Sequence, residues 1–444
     1  MQRFIYPLLA VLAALFTSCE RKSEKTNAQP RKVTIEEIEV GIRDHIQREE
    51  KANNGFFEIA DRGRNFRMKL VRVHTEYLAN LGPQSHFACV DLVDEKGDVY
   101  DVDFFMEGKP GAMSVTDKSV HKLNGKPYYT WKQAADKTWQ RAPVKNASNR
   151  LLGVIEGSDA FEFFYRVQLP TIEGKGRLWI PIASSDAYQT VEVTSMTVPG
   201  DERILRDDTY GNQVLFTEVG PAESGKTVEI SYKVQRLEKS AIEAPEQDSA
   251  QPLYLAPNLL MPVGGRFEEI AREAIKNRDA SDLMKARALY DYVIDNMRYM
   301  KYGNFGRGDA NYACDIRTGN CSEFHAFFIS LARSIGIPAR FAVGASIPSE
   351  RNDGGIDGYH CWAEFYADGK WWPIDISEAN KYTALATYYF GHHPANRIEL
   401  SRGRDLKVSP APAEGPINFL AFPVFEMDGK KAQAKTTFSF LREG

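Results

Sequence analysis

The sequence lacks the features that mark several large classes of proteins. Its 56 Lys and Arg residues are balanced by 60 Asp and Glu residues, so the formal net charge is only −4. Without a basic excess, the composition gives no indication of a nucleic-acid partner. The apolar run at residues 4–16 contains 13 residues, fewer than the roughly 20 that a membrane-spanning helix needs. With 43% apolar and 26% charged residues, the remainder is typical of a globular chain.

Motifs for metals, nucleotides and disulfide frameworks are also missing. The chain has only five cysteines, and no pair of its potential zinc ligands has the two-residue spacing of a zinc knuckle. There is no EF-hand loop, and no Gly-Lys-Ser/Thr sequence ends the glycine-rich segment at residues 303–315. The sequence therefore predicts no metal site and no cofactor. The potential zinc ligands considered were Cys314, Cys321, His325, His360 and Cys361.

The first residues predict export. Arg3 precedes the apolar run, and Thr17-Ser18 precede Cys19 in the manner of a bacterial lipobox. We expect residues 1–19 to be a signal peptide with lipidation at Cys19, and residues 20–32, which are charged and polar, to be a tether. A plain secretory signal and an uncleaved anchor are the alternatives. We therefore expect a bacterial cell-envelope lipoprotein, periplasmic or at the cell surface, that is anchored to the membrane by the lipid on Cys19.

Residues 319–340 predict a helix with a cysteine in its first turn. Asn320 is a good N-cap, and Glu323 can complete a capping box. Apolar residues then recur at spacings of three and four, which indicates a buried helix. Cys321 thus lies where unpaired backbone N–H groups and the helix dipole favour a thiolate. If Cys321 stays free as a nucleophile, three cysteines remain beside Cys19, which argues against a disulfide framework.

A base and its orienting carboxylate follow in the right order. His360 begins the segment HCWAEFY, and Asp375 ends the segment WWPID, so the chain offers Cys, His and Asp on a helix start and two strands. These blocks resemble the transglutaminase-like superfamily, and the likeness extends through LARSIGIPAR, GYHCWAEFY and WWPIDIS. The resemblance covers roughly residues 253–430 and implies a papain-like core with Cys321, His360 and Asp375 as catalytic triad.

The resemblance implies a cysteine enzyme that acts on amide groups of a protein or peptide substrate through a thioester. Acyl transfer to an amine and hydrolysis by water both remain open, as does a non-catalytic peptide-binding or scaffolding module that keeps the architecture. One oxyanion donor is expected to be the backbone N–H of Cys321. For the second oxyanion or cleft-lining group, the candidates are Trp362 and the glycine-rich segment with Asn311 and Tyr312.

The hairpin that carries His360 and Asp375 permits a geometric prediction. If Asp368-Gly369 is a two-residue turn, Tyr366 pairs with Trp371, Trp362 with Asp375, and His360 with Ser377. His360, Trp362 and Asp375 then share one face of the sheet. The same alternation sends Cys361 away from the cleft. We expect His325, one helical turn after Cys321, to have a packing role.

The fold class expected is a multidomain α+β protein. Residues 33–150 predict a helix on an antiparallel sheet, with a cystatin-like arrangement as the specific expectation. Residues 158–236 predict a β-sandwich, because short strands with period-two alternation follow one another between turns. Residues 237–258 are rich in Glu, Ala and Pro and read as a linker. The transglutaminase-like core is expected at residues 259–430, with a C-terminal strand and tail at residues 431–444.

Overall fold

A computed structural model describes residues 33–133, 139–143, 151, 153–243, 252–276, 281–300, 305–381 and 385–442. The predicted signal peptide, Cys19 and the whole predicted tether lie outside the described residues. None of the helices in these ranges has both the length and the apolar character needed to cross a bilayer.

The first domain is one helix packed on an antiparallel sheet. Helix α1 (Ile35–Ala52) has Thr34 as its N-cap and a capping box with Glu37, and it buries Ile38, Ile42 and Ile46 against the sheet. The sheet order is β1-β2-β4-β5-β6-β7, with β3 paired to β4. These strands are β1 (Phe57–Asp61), β2 (Arg64–Val73), β3 (Ala79–Asn80), β4 (Ser85–Asp94), β5 (Val99–Lys109), β6 (Ala112–Leu123) and β7 (Lys126–Pro127), and a separate hairpin follows, β8 (Tyr129–Gln133) with β9 (Trp139–Pro143).

The second domain is a sandwich of two five-stranded antiparallel sheets, and only part of it is contiguous in sequence. The sheet orders are β12-β15-β10-β26-β20 and β13-β14-β11-β24-β25. Side chains from both sheets, among them Tyr165 and Ile180, share one hydrophobic core. Its strands are β10 (Ser158–Gln168), β11 (Gly176–Ile182), β12 (Gln189–Thr197), β13 (Asp201–Arg206), β14 (Gln213–Val219) and β15 (Thr227–Leu237), completed by β20 (Asp353–Ile356), β24 (Val424–Met427), β25 (Lys430–Ala432) and β26 (Lys435–Leu441).

This arrangement differs from the predicted domain limits. Four strands of the sandwich come from residues after 350, and the expected boundary between 430 and 431 falls inside the β24–β25 hairpin. The linker also contributes a short strand, because residues 242–243 pair with residues 370–371. Such pairings join segments that are distant in sequence, and the local pattern of either segment does not reveal them.

The third domain places five helices around an antiparallel sheet of order β16-β22-β21-β19-β23. The central helix, α5, packs on β21 and β19 and is almost entirely buried. Helix α3 has Ser281 as its N-cap and buries Leu283, Ala286, Tyr290 and Val293. The elements are β16 (Ile242–Glu243), α2 (Arg266–Ala274), α3 (Asp282–Asn296), β17 (Arg298–Tyr299), α4 (Ala310–Ile316), β18 (Thr318–Gly319), α5 (Cys321–Ser334), β19 (Ala339–Ser346), β21 (His360–Ala367), β22 (Lys370–Ile374), α6 (Ile376–Lys381) and β23 (Arg397–Arg402).

Candidate active site

Cys321 is the first residue of α5. The side chain of Asn320 caps the helix by accepting the N–H of Ser322 at 2.8 Å, and the carboxylate of Glu323 accepts the Asn320 N–H at 3.1 Å. The thiol is 2% exposed. The predicted helix start and its capping box are therefore present, and they hold the cysteine among the unpaired N–H groups of the first turn.

Glu323 also fixes the glycine-rich segment beside this helix. Its Oε1 accepts the backbone N–H groups of Gly306 and Gly308, each at 2.8 Å. A side chain at Gly308 would collide with Arg404, and its φ of +62° favours glycine. One buried carboxylate thus joins the segment to the helix that carries Cys321.

His360 and Asp375 lie at the open end of the β21–β22 hairpin. The turn at Asp368-Gly369 has φ values of +52° and +78°, and Tyr366 pairs with Trp371 as predicted. His360 Nε2 and Asp375 Oδ2 are 2.7 Å apart. The structure therefore brings the predicted base and carboxylate into direct contact.

The outermost pairs predicted for this hairpin are absent. The ladder ends at Ala363 and Ile374, the Asp375 N–H donates to the Tyr389 carbonyl, and α6 begins at Ile376. The predicted partners Trp362–Asp375 and His360–Ser377 are therefore not strand pairs. The chain leaves the sheet at Asp375, which turns its side chain toward His360 from the start of a helix.

The site favours a thiolate beside a protonated imidazole. Burial alone would raise the pKa of Cys321, but hydrogen bonds from Cys361 and His360, with the His360 charge, hold this pKa well below its usual range. Burial would lower the pKa of His360, but the charge of Asp375 and its hydrogen bond raise it to about 9. At a pH between the lowered pKa of Cys321 and the raised pKa of His360 the pair is ionised, because each charge stabilises the other.

Asp375 is held by more than the histidine. The guanidinium of Arg397 donates to Asp375 Oδ2 at 2.6 Å, and the Ser377 hydroxyl donates to Oδ1 at 2.9 Å. The Glu378 N–H donates to Oδ1 at 3.1 Å. Burial would raise the pKa of Asp375, but the charges of His360 and Arg397 lower it well below its usual range. The carboxylate is thus fixed as an anion.

His325 connects the start of α5 to the start of α6 through hydrogen bonds of both ring nitrogens. Its Nδ1 is 2.8 Å from the Cys321 carbonyl oxygen, and its Nε2 accepts the Ile376 N–H at 3.1 Å. This pattern fits a neutral ring that carries its proton on Nδ1. Burial lowers the pKa of His325 and agrees with that state. The ring has the packing role expected from the sequence.

Cys361 lies between α5 and β21, close to the start of the helix. Its thiol donates to the Ser322 hydroxyl at 3.8 Å, and its Sγ is also 3.8 Å from His325 Nδ1. Cys361 is fully buried and does not line the cleft that exposes His360, so the prediction that it points away from the cleft is confirmed. The alternation along β21 sends Cys361 to the face of the sheet that α5 covers, and helix and strand enclose the thiol between them.

The predicted cleft residues lie elsewhere. Trp362 is fully buried, packed near His360 and Arg397, so its indole does not reach a bound substrate. Asn311 is exposed on α4, and its side-chain oxygen accepts from Arg266 at 2.7 Å. Tyr312 is on the same short helix and does not line the cleft that contains His360. Both belong to a helix where the sequence suggested a loop.

Instead, the cleft is lined by residues that the motifs do not include. It has a volume of about 820 Å³ and exposes His360 between Tyr299, Tyr359 and Glu378. The Tyr359 hydroxyl is 2.8 Å from the Ser322 hydroxyl and accepts from Asn320, which joins the start of β21 to the helix cap. A second pocket of about 460 Å³ meets the other side of Tyr359. The only sequence signal for Tyr359 and Glu378 is their proximity to His360 and Asp375.

Comparison with known proteins agrees with this geometry. Residues 268–376 match the family model of the transglutaminase-like superfamily, a range that contains Cys321, His360 and Asp375. An uncharacterized protein of Haemophilus influenzae is 25% identical over 305 residues, which cover 58% of this chain and 82% of that protein.

Comparison with solved structures gives two partial matches. A candidate cysteine protease from Cytophaga hutchinsonii has a TM-score of 0.44 and 16% identity, covering 64% of this chain and 92% of its own. A candidate protease from Parabacteroides distasonis has a TM-score of 0.23 and 9% identity, covering 65% and 63%. From the family match and the motifs that predicted it, we conclude that residues 268–376 of this chain are a domain of the transglutaminase-like superfamily.

Proposed function

We propose that this protein is a cysteine acyltransferase or hydrolase that acts on amide groups of proteins or peptides through a thioester on Cys321. The observation that carries the proposal is the contact of His360 Nε2 with Asp375 Oδ2 at 2.7 Å beside a cysteine whose pKa is well below its usual range. A nucleophile, its base and an orienting carboxylate are the parts that covalent acyl transfer needs.

The proposed chemistry has two halves. The Cys321 thiolate attacks the amide carbonyl carbon, and the carbonyl oxygen takes up the negative charge. When the C–N bond breaks, the proton on His360 passes to the nitrogen, so ammonia or an amine leaves and a thioester remains. Neutral His360 then takes a proton from an incoming amine or water, which attacks the thioester and releases the Cys321 thiolate.

The oxyanion needs donors at the start of α5. The Ser322 N–H donates to the Asn320 side chain. We assign the Cys321 N–H as the donor that stabilises the oxyanion, as the sequence analysis expected. Tyr299 is our candidate for the second donor, because it lines the cleft together with His360. Burial, with the nearby Cys321 charge, raises the pKa of Tyr299, so its hydroxyl keeps the proton it would donate.

Arg397 is proposed as a positioning residue for the triad. It is 1% exposed and shares Asp375 Oδ2 with His360, at 2.6 and 2.7 Å respectively. Its positive charge keeps Asp375 ionised and also offsets part of the negative potential that raises the His360 pKa. It thereby limits how strongly the imidazolium holds the proton that the leaving amine must receive.

Export and lipidation at Cys19 are part of the proposal and rest on the sequence of residues 3–19 alone. We expect mass analysis of the N-terminal peptide from the native host to show Cys19 as the first residue, carrying lipid. Cys19→Ser should abolish both processing at this position and membrane association. An unmodified Cys19 in the mature protein would contradict this part of the proposal.

Incubation with glutamine-containing peptides, with and without a primary amine, tests the reaction itself. A peptide that loses the mass of ammonia and gains the mass of the amine indicates acyl transfer. A peptide that loses ammonia and gains water indicates deamidation, and cleavage of the peptide backbone indicates peptidase activity. Cys321→Ala and His360→Ala should abolish turnover, and Asp375→Asn should leave activity reduced roughly 10³- to 10⁴-fold. Cys314→Ser, at a buried cysteine outside the triad, is the matched control.

Wild-type activity in Cys321→Ala would refute the mechanism. A folded wild-type protein that binds peptides tightly but leaves their masses unchanged would instead favour the non-catalytic peptide-binding module.

The pH dependence follows from the pKa shifts. The ultraviolet absorbance difference between wild type and Cys321→Ala should show thiolate well below pH 8.5, the approximate pKa of a free cysteine. Turnover should fall as the pH rises through about 9, because His360 then loses the proton that the leaving amine needs. In His360→Ala the thiolate signal should move up toward an ordinary cysteine titration. An unchanged titration in that variant would show that the histidine does not control the thiol.

Arg397 variants separate positioning from simple packing. Arg397→Met should lower kcat at least tenfold and move the basic limb of the pH profile above 9, because the charge that opposes His360 protonation is gone. Asp375→Asn should move the same limb below 9, and Arg397→Lys should restore part of the wild-type profile. Loss of activity in Arg397→Met with an unmoved basic limb would assign Arg397 a structural role only.

A further inference from the structure

A second group of reactive side chains lies in the first domain. The ligand atoms of His74, Cys89 and Asp101 all lie within 4.8 Å of one another. These residues are 8%, 4% and 3% exposed, respectively. They lie on the face of the sheet opposite α1, and this face is not used by the proposed reaction.

The strand register explains why these residues meet. Cys89 pairs with Asp103 and Asp91 pairs with Asp101 across β4 and β5, so one thiol and three carboxylates occupy neighbouring positions on one face. The backbone N–H of His74 donates to the Cys89 carbonyl at 3.0 Å, which places His74 just past the end of β2 at the edge of this group. Three separate stretches of chain supply the potential metal ligands, so no motif of short spacing in the sequence predicts them.

One oxygen in this group points to a missing ligand. Lys122 donates to Asp101 Oδ2, whereas Asp101 Oδ1 is buried and has no hydrogen-bond partner in the described part of the chain. A buried carboxylate oxygen without a donor is unfavourable, because no hydrogen bond compensates the loss of its hydration. A cation bound at Oδ1 would remove that penalty.

The surrounding contacts resemble the outer shell of a metal site. His74 Nε2 is 2.9 Å from Asp91 Oδ1, and Asp91 Oδ2 accepts from Arg287 at 2.8 Å. Ring orientation by a carboxylate that is itself hydrogen-bonded is a common support for a metal-bound histidine.

The formal charges also leave room for a cation. Within this group, the carboxylates of Asp91, Asp101, Asp103 and Asp291 face the cations of Arg72, Lys122 and Arg287, which leaves one negative charge with neutral histidines. A divalent metal that displaces the Cys89 proton adds one positive charge. The occupied group is then formally neutral, which suits a buried site.

The geometry points to a transition-metal site of the zinc class formed by His74, Cys89 and Asp101. Nitrogen, thiolate and carboxylate donors are the set that Zn²⁺ accepts, and the thiolate disfavours Mg²⁺ and Ca²⁺. Because Asp91 also holds Arg287 of α3, metal binding would strengthen the contact between the first domain and the transglutaminase-like domain. This inference is independent of the proposed function.

Titration of the full-length protein with cobalt(II) tests the site. The parent protein carries Cys321→Ala, so that the thiol of the candidate active site cannot bind the ion. We expect one Co²⁺ per chain with a thiolate-to-cobalt charge-transfer band, and competition by Zn²⁺ but not by Mg²⁺. Cys89→Ser should remove the band, and the matched control Cys314→Ser should keep it.

Two further variants keep the test decisive if Cys89→Ser does not fold. Asp101→Asn and His74→Gln preserve most of the side-chain volume, and each should weaken Zn²⁺ binding at least tenfold in competition with a chromophoric chelator. Absence of the cobalt band in the Cys321→Ala parent, or its persistence in Cys89→Ser, would overturn the proposal. Unchanged Zn²⁺ affinity in both of the other variants would do the same, and the group would then be an ion-pair cluster only.

Discussion

The buried carboxylate of Asp375 is the point on which the candidate site depends. It accepts from His360, Arg397, the Ser377 hydroxyl and a backbone N–H, so donors from three elements, β21, β23 and α6, converge on two oxygen atoms. A buried anion is tolerated only when its charge and lone pairs are satisfied in this way. The chain changes direction at Asp375, between β22 and α6, and this change points the carboxylate at His360 and so orients the base. The thiolate of Cys321 in turn depends on the protonated base.

The sandwich and the site are connected through the backbone as well. Strand β20 adds to the sandwich sheet by pairing with β26, and His360 follows only four residues after β20 ends. Between them, Tyr359 contacts the helix cap and separates the two pockets. The sandwich therefore fixes one wall of the cleft, and the surface around His360 is formed by two domains.

Local patterns allowed much of this to be predicted. The capping box at Asn320 and Glu323 predicted the start of α5, and the Asp368-Gly369 turn predicted the register that brings His360 to the end of the hairpin carrying Asp375. Features that depend on distant segments were missed. Arg397 reaches Asp375 from β23, and the His74 group needs three separate stretches of the first domain. The face of Cys361 was predicted correctly, but its contacts with Ser322 and His325 were not, because strand alternation gives the face of a residue and not what covers that face.

The order of strands in the sandwich has a consequence for synthesis of the protein on the ribosome. β26 lies between β10 and β20, so a sheet begun at residue 158 lacks an internal strand until residue 441 has emerged. The intervening polypeptide contains the transglutaminase-like domain, whose elements are all available earlier. During translation β10 therefore presents an unpaired edge for hundreds of residues, the kind of surface that chaperones cover and that pairs wrongly with other chains.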